Sequence, residues 1–149
     1  SAHCWLIHAS LHGPPKLRFQ LLIYPACDMS MTHGSIAEFA EQLPLTRSTM
    51  KWFIDLYLRG ANDVADWKAS PLKASSLENL PPAYVLTAGY DPLRDEGEAY
   101  AATLKAAGVS AETKRFPGQI HGSLNMGKFI SETAVALEAA GTALRRALG

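Results

Sequence analysis

Asp91 and His121, an acid and an imidazole 30 residues apart, are the pair in this 149-residue chain best placed for chemistry. A carboxylate that accepts an imidazole N–H fixes the ring's tautomer and stabilises the cation formed when the ring takes a proton. Each of the two stands just past a β-prone run, Asp91 after AYVLTA at 83–88 and His121 after the alternating stretch 109–116. Between them, 93–107 reads as a helix stopped by Gly108. The segment 83–122 therefore predicts strand, acid, helix, strand, histidine. A right-handed crossover sets the two strand ends side by side, on the edge where open parallel sheets bind ligands. Both residues also have plainer readings. Asp91 followed by Pro92 is a helix-start signal that needs no catalysis, and a lone histidine in a glycine-flanked loop is commonly a surface residue.

The remaining candidates fit less well. His3, His8 and His12 lie on or beside an apolar segment at 2–11, read as a helix, and His33 sits in a polar loop with no acid placed by a strand. No set of His, Cys and acidic residues has metal-ligand spacing. Asp95, Glu96 and Glu98 suit the first turn of a helix, where the dipole favours acids, and Arg94 is expected to pair with a nearby carboxylate. A nucleophile is missing. G-x-S-x-G, the turn that exposes a serine between strand and helix, does not occur; Ser35 and Ser123 follow a glycine but lack the second one.

The elements needed to position the pair are legible around it. Residues 17–24 form a strand whose Leu21-Leu22-Ile23 run favours burial on both faces of a parallel sheet. Met50, Phe53, Ile54, Tyr57 and Leu58 recur at helical spacing over 46–58, with Thr46 or Ser48 as cap. That helix either lines a pocket or covers the sheet, and it falls within 26–80, read as an insertion. Residues 62–82 are mostly loop, and 128–148 is a closing amphipathic helix. The order predicts an α/β fold with a mostly parallel sheet and flanking helices. A hydrophobic content of 48% fits a globular domain, and a net charge of zero gives no footprint for nucleic acid. No apolar run approaches the ~20 residues of a membrane span, and two cysteines make no disulfide framework. The chain starts without Met or a capped helix, as a piece of something longer would, and no signal peptide is visible, so a cytoplasmic location is expected.

LLIYPACDMS, LTRSTMKWFIDLYL, ASPLKASSLENLPPAYVLTAGYDPLRDEGEAYAATLKAAGV and FPGQIHG together resemble the C-terminal half of the hormone-sensitive-lipase-like carboxylesterases, the α/β-hydrolase fold-3 group. The resemblance runs from about Lys16 to the end. It implies that 1–149 is the C-terminal portion of one α/β-hydrolase domain, without the N-terminal strands, the H-G-G-G oxyanion loop or the G-D-S-A-G-G elbow. Asp91 then corresponds to the triad acid and His121 to the general base. Ser1-Ala2 echoes the elbow, but His3-Cys4 stand where it has glycines, which places the nucleophile before Ser1. The implied substrate is a small carboxylic ester, and the implied chemistry needs no metal or organic cofactor. Ser123 stands where the family often has an aromatic, which leaves acyl preference open. The isolated chain is expected to be inactive and to fold poorly, its first strand left at an edge. Two rivals remain: a non-catalytic binding module of the same fold, and another serine hydrolase such as a peptidase or amidase.

Overall fold

A computed structural model describes residues 17–41 and 43–149; the expected helix at 2–11 and Ser1 lie outside them. Three parallel strands, β1 (Gln20–Ile23), β2 (Ala83–Tyr90) and β3 (Ala111–Ile120), form a sheet in the order β1-β2-β3. Gln20 pairs with Ala83 and Ala83 with Ala111, so the strands start level and their C-terminal ends share one edge. β2 is the centre, buried from Ala83 to Ala88. Such a strand reads as a continuous apolar run because helices cover both faces.

Period-two alternation assigns the side chains to those faces. Leu22 and Val85 meet Tyr100, Ala101 and Leu104 of α3 (Arg94–Ala106), joined by Leu77 and Leu80 from the loop before β2. Tyr84, Leu86 and Phe116 point the other way, onto Ala136, Ala140 and Ala143 of α4 (Glu132–Leu148). Alanines at this helical spacing give α4 a flat stripe that lies close to the sheet. The buried Gln20 amide donates to Pro81 O at 2.7 Å and accepts from the Tyr100 hydroxyl at 3.2 Å. Its polarity is thus satisfied inside the core.

Between β1 and β2 the chain forms α1 (Gly34–Phe39), α2 (Arg47–Tyr57) and two 3₁₀ turns, Ala61–Ala65 and Pro71–Lys73. Thr46 caps α2, its hydroxyl accepting from Thr49 N at 3.1 Å. A small core of Ile36, Ala40 and Met50 knits α1 to α2.

Several sequence boundaries shift, each for a local reason. α1 was not expected, because six residues capped without a side-chain bond carry almost no periodic signal. α4 begins at Glu132 instead of 128, since Phe129 N and Ile130 N bond back to Met126 O and hold the residues before it in turns. The first strand is shorter than 17–24, and Ile23 is 39% exposed, so burial on both faces holds only in part. β3 runs past the expected end at Phe116, through Pro117 to Ile120.

Candidate active site

The extension of β3 matters because of where it irregularly meets β2. Ala88 pairs with Phe116, but Tyr90 pairs with Ile120, so β3 carries extra residues at this point. Pro117 sits in the irregularity, where a residue without an N–H leaves no ladder bond unmade. Gly89 faces it, and a Cβ there would stand 2.0 Å from Pro117 O. Only glycine permits that approach. Beyond the irregularity Tyr90 and Ile120 still pair, and the next residues out are Asp91 and His121.

Asp91 is 1% exposed and divides its carboxylate. Oδ1 accepts the N–H of Leu93 at 2.8 Å, while Oδ2 lies 2.9 Å from His121 Nδ1. The expected helix cap is thus only half right. The helix proper starts at Arg94 with Leu93 as its cap residue, and Asp91 closes the turn before it, with Arg94 N bonded to Asp91 O at 3.0 Å. Pro92 contributes no N–H to that turn, so the side chain takes the next donor along. The cap reading and the acid reading use different oxygens and do not exclude each other.

His121 is held on a second side. The Tyr24 ring lies 5.2 Å from the imidazole centroid at 48°, and the Tyr24 hydroxyl is 2.8 Å from Ser123 Oγ. Tyr24 has φ +48°, a left-handed conformation that costs a non-glycine residue about 1–3 kcal/mol. Gly122, at φ +78°, turns the chain immediately after His121. With Nδ1 committed to Asp91, Nε2 makes no hydrogen bond to a described residue, and the ring lines a cavity. That cavity measures about 510 Å³ and is mostly apolar. Phe53, Ile54 and Tyr57 of α2 form one wall, Met29, Met31 and Leu93 another. α2 thus turns these side chains to the cavity.

One wall rests on a buried carboxyl. Glu96, 1% exposed, accepts the N–H groups of Cys27 and Asp28 on a single oxygen, at 2.6 and 3.2 Å. Burial pushes its pKa up to about 7, those two hydrogen bonds pull it down, and the charges of Asp28 and Asp91 add to the rise. Asp28 is opposite in sign. Burial works to raise it, but hydrogen bonds from Ser30 and Lys73 prevail and hold it below the usual carboxylate range. Ser70 Oγ accepts from Met29 N at 2.9 Å and donates to Val64 O at 2.7 Å, tying the same wall from the other side. Arg94 bonds Gly89 O, Asp95 and Glu38, the carboxylate pairing its sequence suggested.

His33 has an acid nearby after all, Asp28 Oδ2 at 3.4 Å, but the geometry makes no hydrogen bond. Asp28 is engaged by Lys73 and Ser30 instead. No hydroxyl or thiol of a described residue bonds His121. Ser123 is turned to Tyr24, Ser35 donates to Pro92 O, and burial raises the Cys27 thiol pKa well above its ordinary value. Tyr24 and Glu96 escape sequence reasoning: Tyr24-Pro25 reads only as a strand end, and Glu96 only as a first-turn acid.

A family of alpha/beta hydrolase fold matches residues 2–125. The chain belongs to the α/β-hydrolase fold-3 family, the hormone-sensitive-lipase-like carboxylesterases. Similar members of the family include carboxylesterase NlhH of Mycobacterium tuberculosis, 38% identical across 91% of this chain and 44% of that protein. The crystal structure of a thermostable esterase from Pseudomonas putida ECU1011 is 44% identical, with a TM-score of 0.94 over 99% of this chain and 48% of its own. A hyperthermophilic esterase from Pyrobaculum calidifontis is 39% identical, with a TM-score of 0.89 over 95% and 47%. The chain spans less than half the length of these family relatives. Its three parallel strands and flanking helices are a part of the α/β-hydrolase fold. Among the described residues no helix is long and apolar enough to cross a membrane.

Proposed function

We propose that this chain supplies the general base and the orienting acid of a serine-dependent carboxylic ester hydrolase. The observation that carries the reading is the 2.9 Å contact between Asp91 Oδ2 and His121 Nδ1, with the imidazole opening onto an apolar cavity. The relatives' activity as esterases supports the same class of substrate. In the full-length protein a serine hydroxyl gives its proton to His121 Nε2 as its oxygen attacks the ester carbonyl. The imidazolium returns that proton to the leaving alkoxide, and an acyl-serine remains. Water then attacks the acyl-serine, giving its proton to Nε2, and the imidazolium returns that proton to the serine oxygen as the acid leaves. Asp91 stays ionised, holding Nδ1–H in place and stabilising the cation. The apolar walls of the cavity receive one hydrocarbon arm of the ester.

Hydrolysis of p-nitrophenyl esters by the full-length protein tests this. His121→Ala and Asp91→Asn are each expected to lower kcat by on the order of 10³ or more, with KM little changed. Turnover by His121→Ala at the rate of the unmodified protein would remove the base. The 149 residues alone, without an elbow serine, should show no turnover above background.

A further inference from the structure

We propose that Tyr24 and Ser123 are a pair of positioning residues for His121. Tyr24 lies at the end of β1 and His121 at the end of β3, with β2 between them. The tyrosine thus crosses the end of the central strand to reach a loop 99 residues away in sequence. Its backbone is in the left-handed region, yet its N–H still bonds Leu86 O at 2.9 Å, so the ladder is kept while the side chain is redirected. A residue held there against its own preference is one the surroundings over-determine, and such residues gather at functional sites. What it meets there is the imidazole ring, tilted at 48° to its own, and the Ser123 hydroxyl.

Ser123 is itself fixed. It is 3% exposed, and its carbonyl accepts the Thr133 hydroxyl at 3.0 Å, from the first turn of α4. The His121-Gly122-Ser123 loop is therefore anchored to α4 by a carbonyl and to β1 by a hydroxyl, while Asp91 holds the ring nitrogen. Asp91 sets the imidazole's tautomer and one in-plane direction. The Tyr24 ring limits its tilt, and the Tyr24–Ser123 bond keeps that ring where it is. A phenylalanine at 123 would pack there without accepting or donating. Serine makes the arrangement polar and specific to tyrosine at 24.

The proposal rests on His121 being the base, and the experiment separates the two. In the full-length protein, Tyr24→Phe keeps the ring and removes the bond; Ser123→Ala removes it from the other side. Each is expected to lower kcat about tenfold with KM within about twofold, and to shift the acid limb of the kcat/KM–pH profile. Because one bond is lost either way, the double variant should be no worse than the more impaired single variant. Wild-type kcat and an unmoved acid limb in Tyr24→Phe and Ser123→Ala, with His121→Ala inactive, would overturn the positioning role and leave the base intact. Multiplicative losses in the double variant would overturn it as well. An active His121→Ala would overturn both. Should either single variant fail to fold, the remaining one carries the same kcat and pH comparison.

Discussion

Glu96 is a carboxyl with almost no solvent, and Glu96→Gln removes its charge while leaving an oxygen for the N–H groups of Cys27 and Asp28. Its pKa rises from 4.5 to about 7 on folding, burial being the first cause. Here the folded state binds the proton more tightly than the unfolded chain. Between those two values the native protein carries more protons at this site, so its stability falls as pH rises. The contribution is fully present below the unfolded pKa, is lost through the window from 4.5 to about 7, and stays lost above it. At about 1.4 kcal/mol per pKa unit the loss is about 3 kcal/mol. Glutamine has no such window. Urea denaturation of the full-length protein and of Glu96→Gln, at pH 5 and pH 8, isolates the term. The variant should lie close to the parent at the lower pH and gain on it by about 3 kcal/mol at the higher one. An advantage equal at both values, or one that shrinks toward alkali, would refute the assignment of a protonated, buried carboxyl to the pocket wall.

Gly89→Ala should be severe, since its Cβ would stand 2.0 Å from a backbone oxygen that cannot rotate away. A loss above ~3 kcal/mol is expected in thermal or chemical unfolding, and esterase turnover by the folded fraction should fall as the strand ends part. A variant as stable and as active as the parent would show that the bulge does not aim the pair. Cys27, buried and with its pKa raised, should resist iodoacetamide at pH 8 in the native protein and react once unfolded. Peptide mapping of the alkylated position checks this directly.

How far the site was readable in the sequence depends on whether the signal was local. The β2–α3–β3 unit came through because β2 is an apolar run ended by Asp91-Pro92, the stretch before His121 alternates, and the helix between them stops at Gly108. That unit set Asp91 and His121 side by side as candidates with plainer readings beside them, and the acid and base roles came from the resemblance. Tyr24 did not come through, because its partners lie 99 residues further on and no periodicity encodes a contact across a strand. The bulge was hidden for a related reason. Phe116-Pro117 looks like a strand terminator, and only the close approach of Gly89 turns the proline into a tolerated irregularity. Glu96 was read as a dipole partner of its helix, which is true of its position and silent about its burial. α2 was found with its cap, but whether its aromatic face met a sheet or a cavity is a question of tertiary placement.

The shared carboxylate of Asp91 makes the folding register of α3 and the aim of the imidazole a single degree of freedom. One oxygen reports where the helix begins, the other where the ring sits, and the distance between them is set by a rigid planar group. A glutamate, longer by one methylene, cannot satisfy both at once without moving either the turn or the ring. Substitutions that creep the start of α3 by even part of a turn should therefore be heard at the histidine, though they touch nothing in the cavity. Tuning the histidine from a distance would begin there, in the backbone between Asp91 and Arg94.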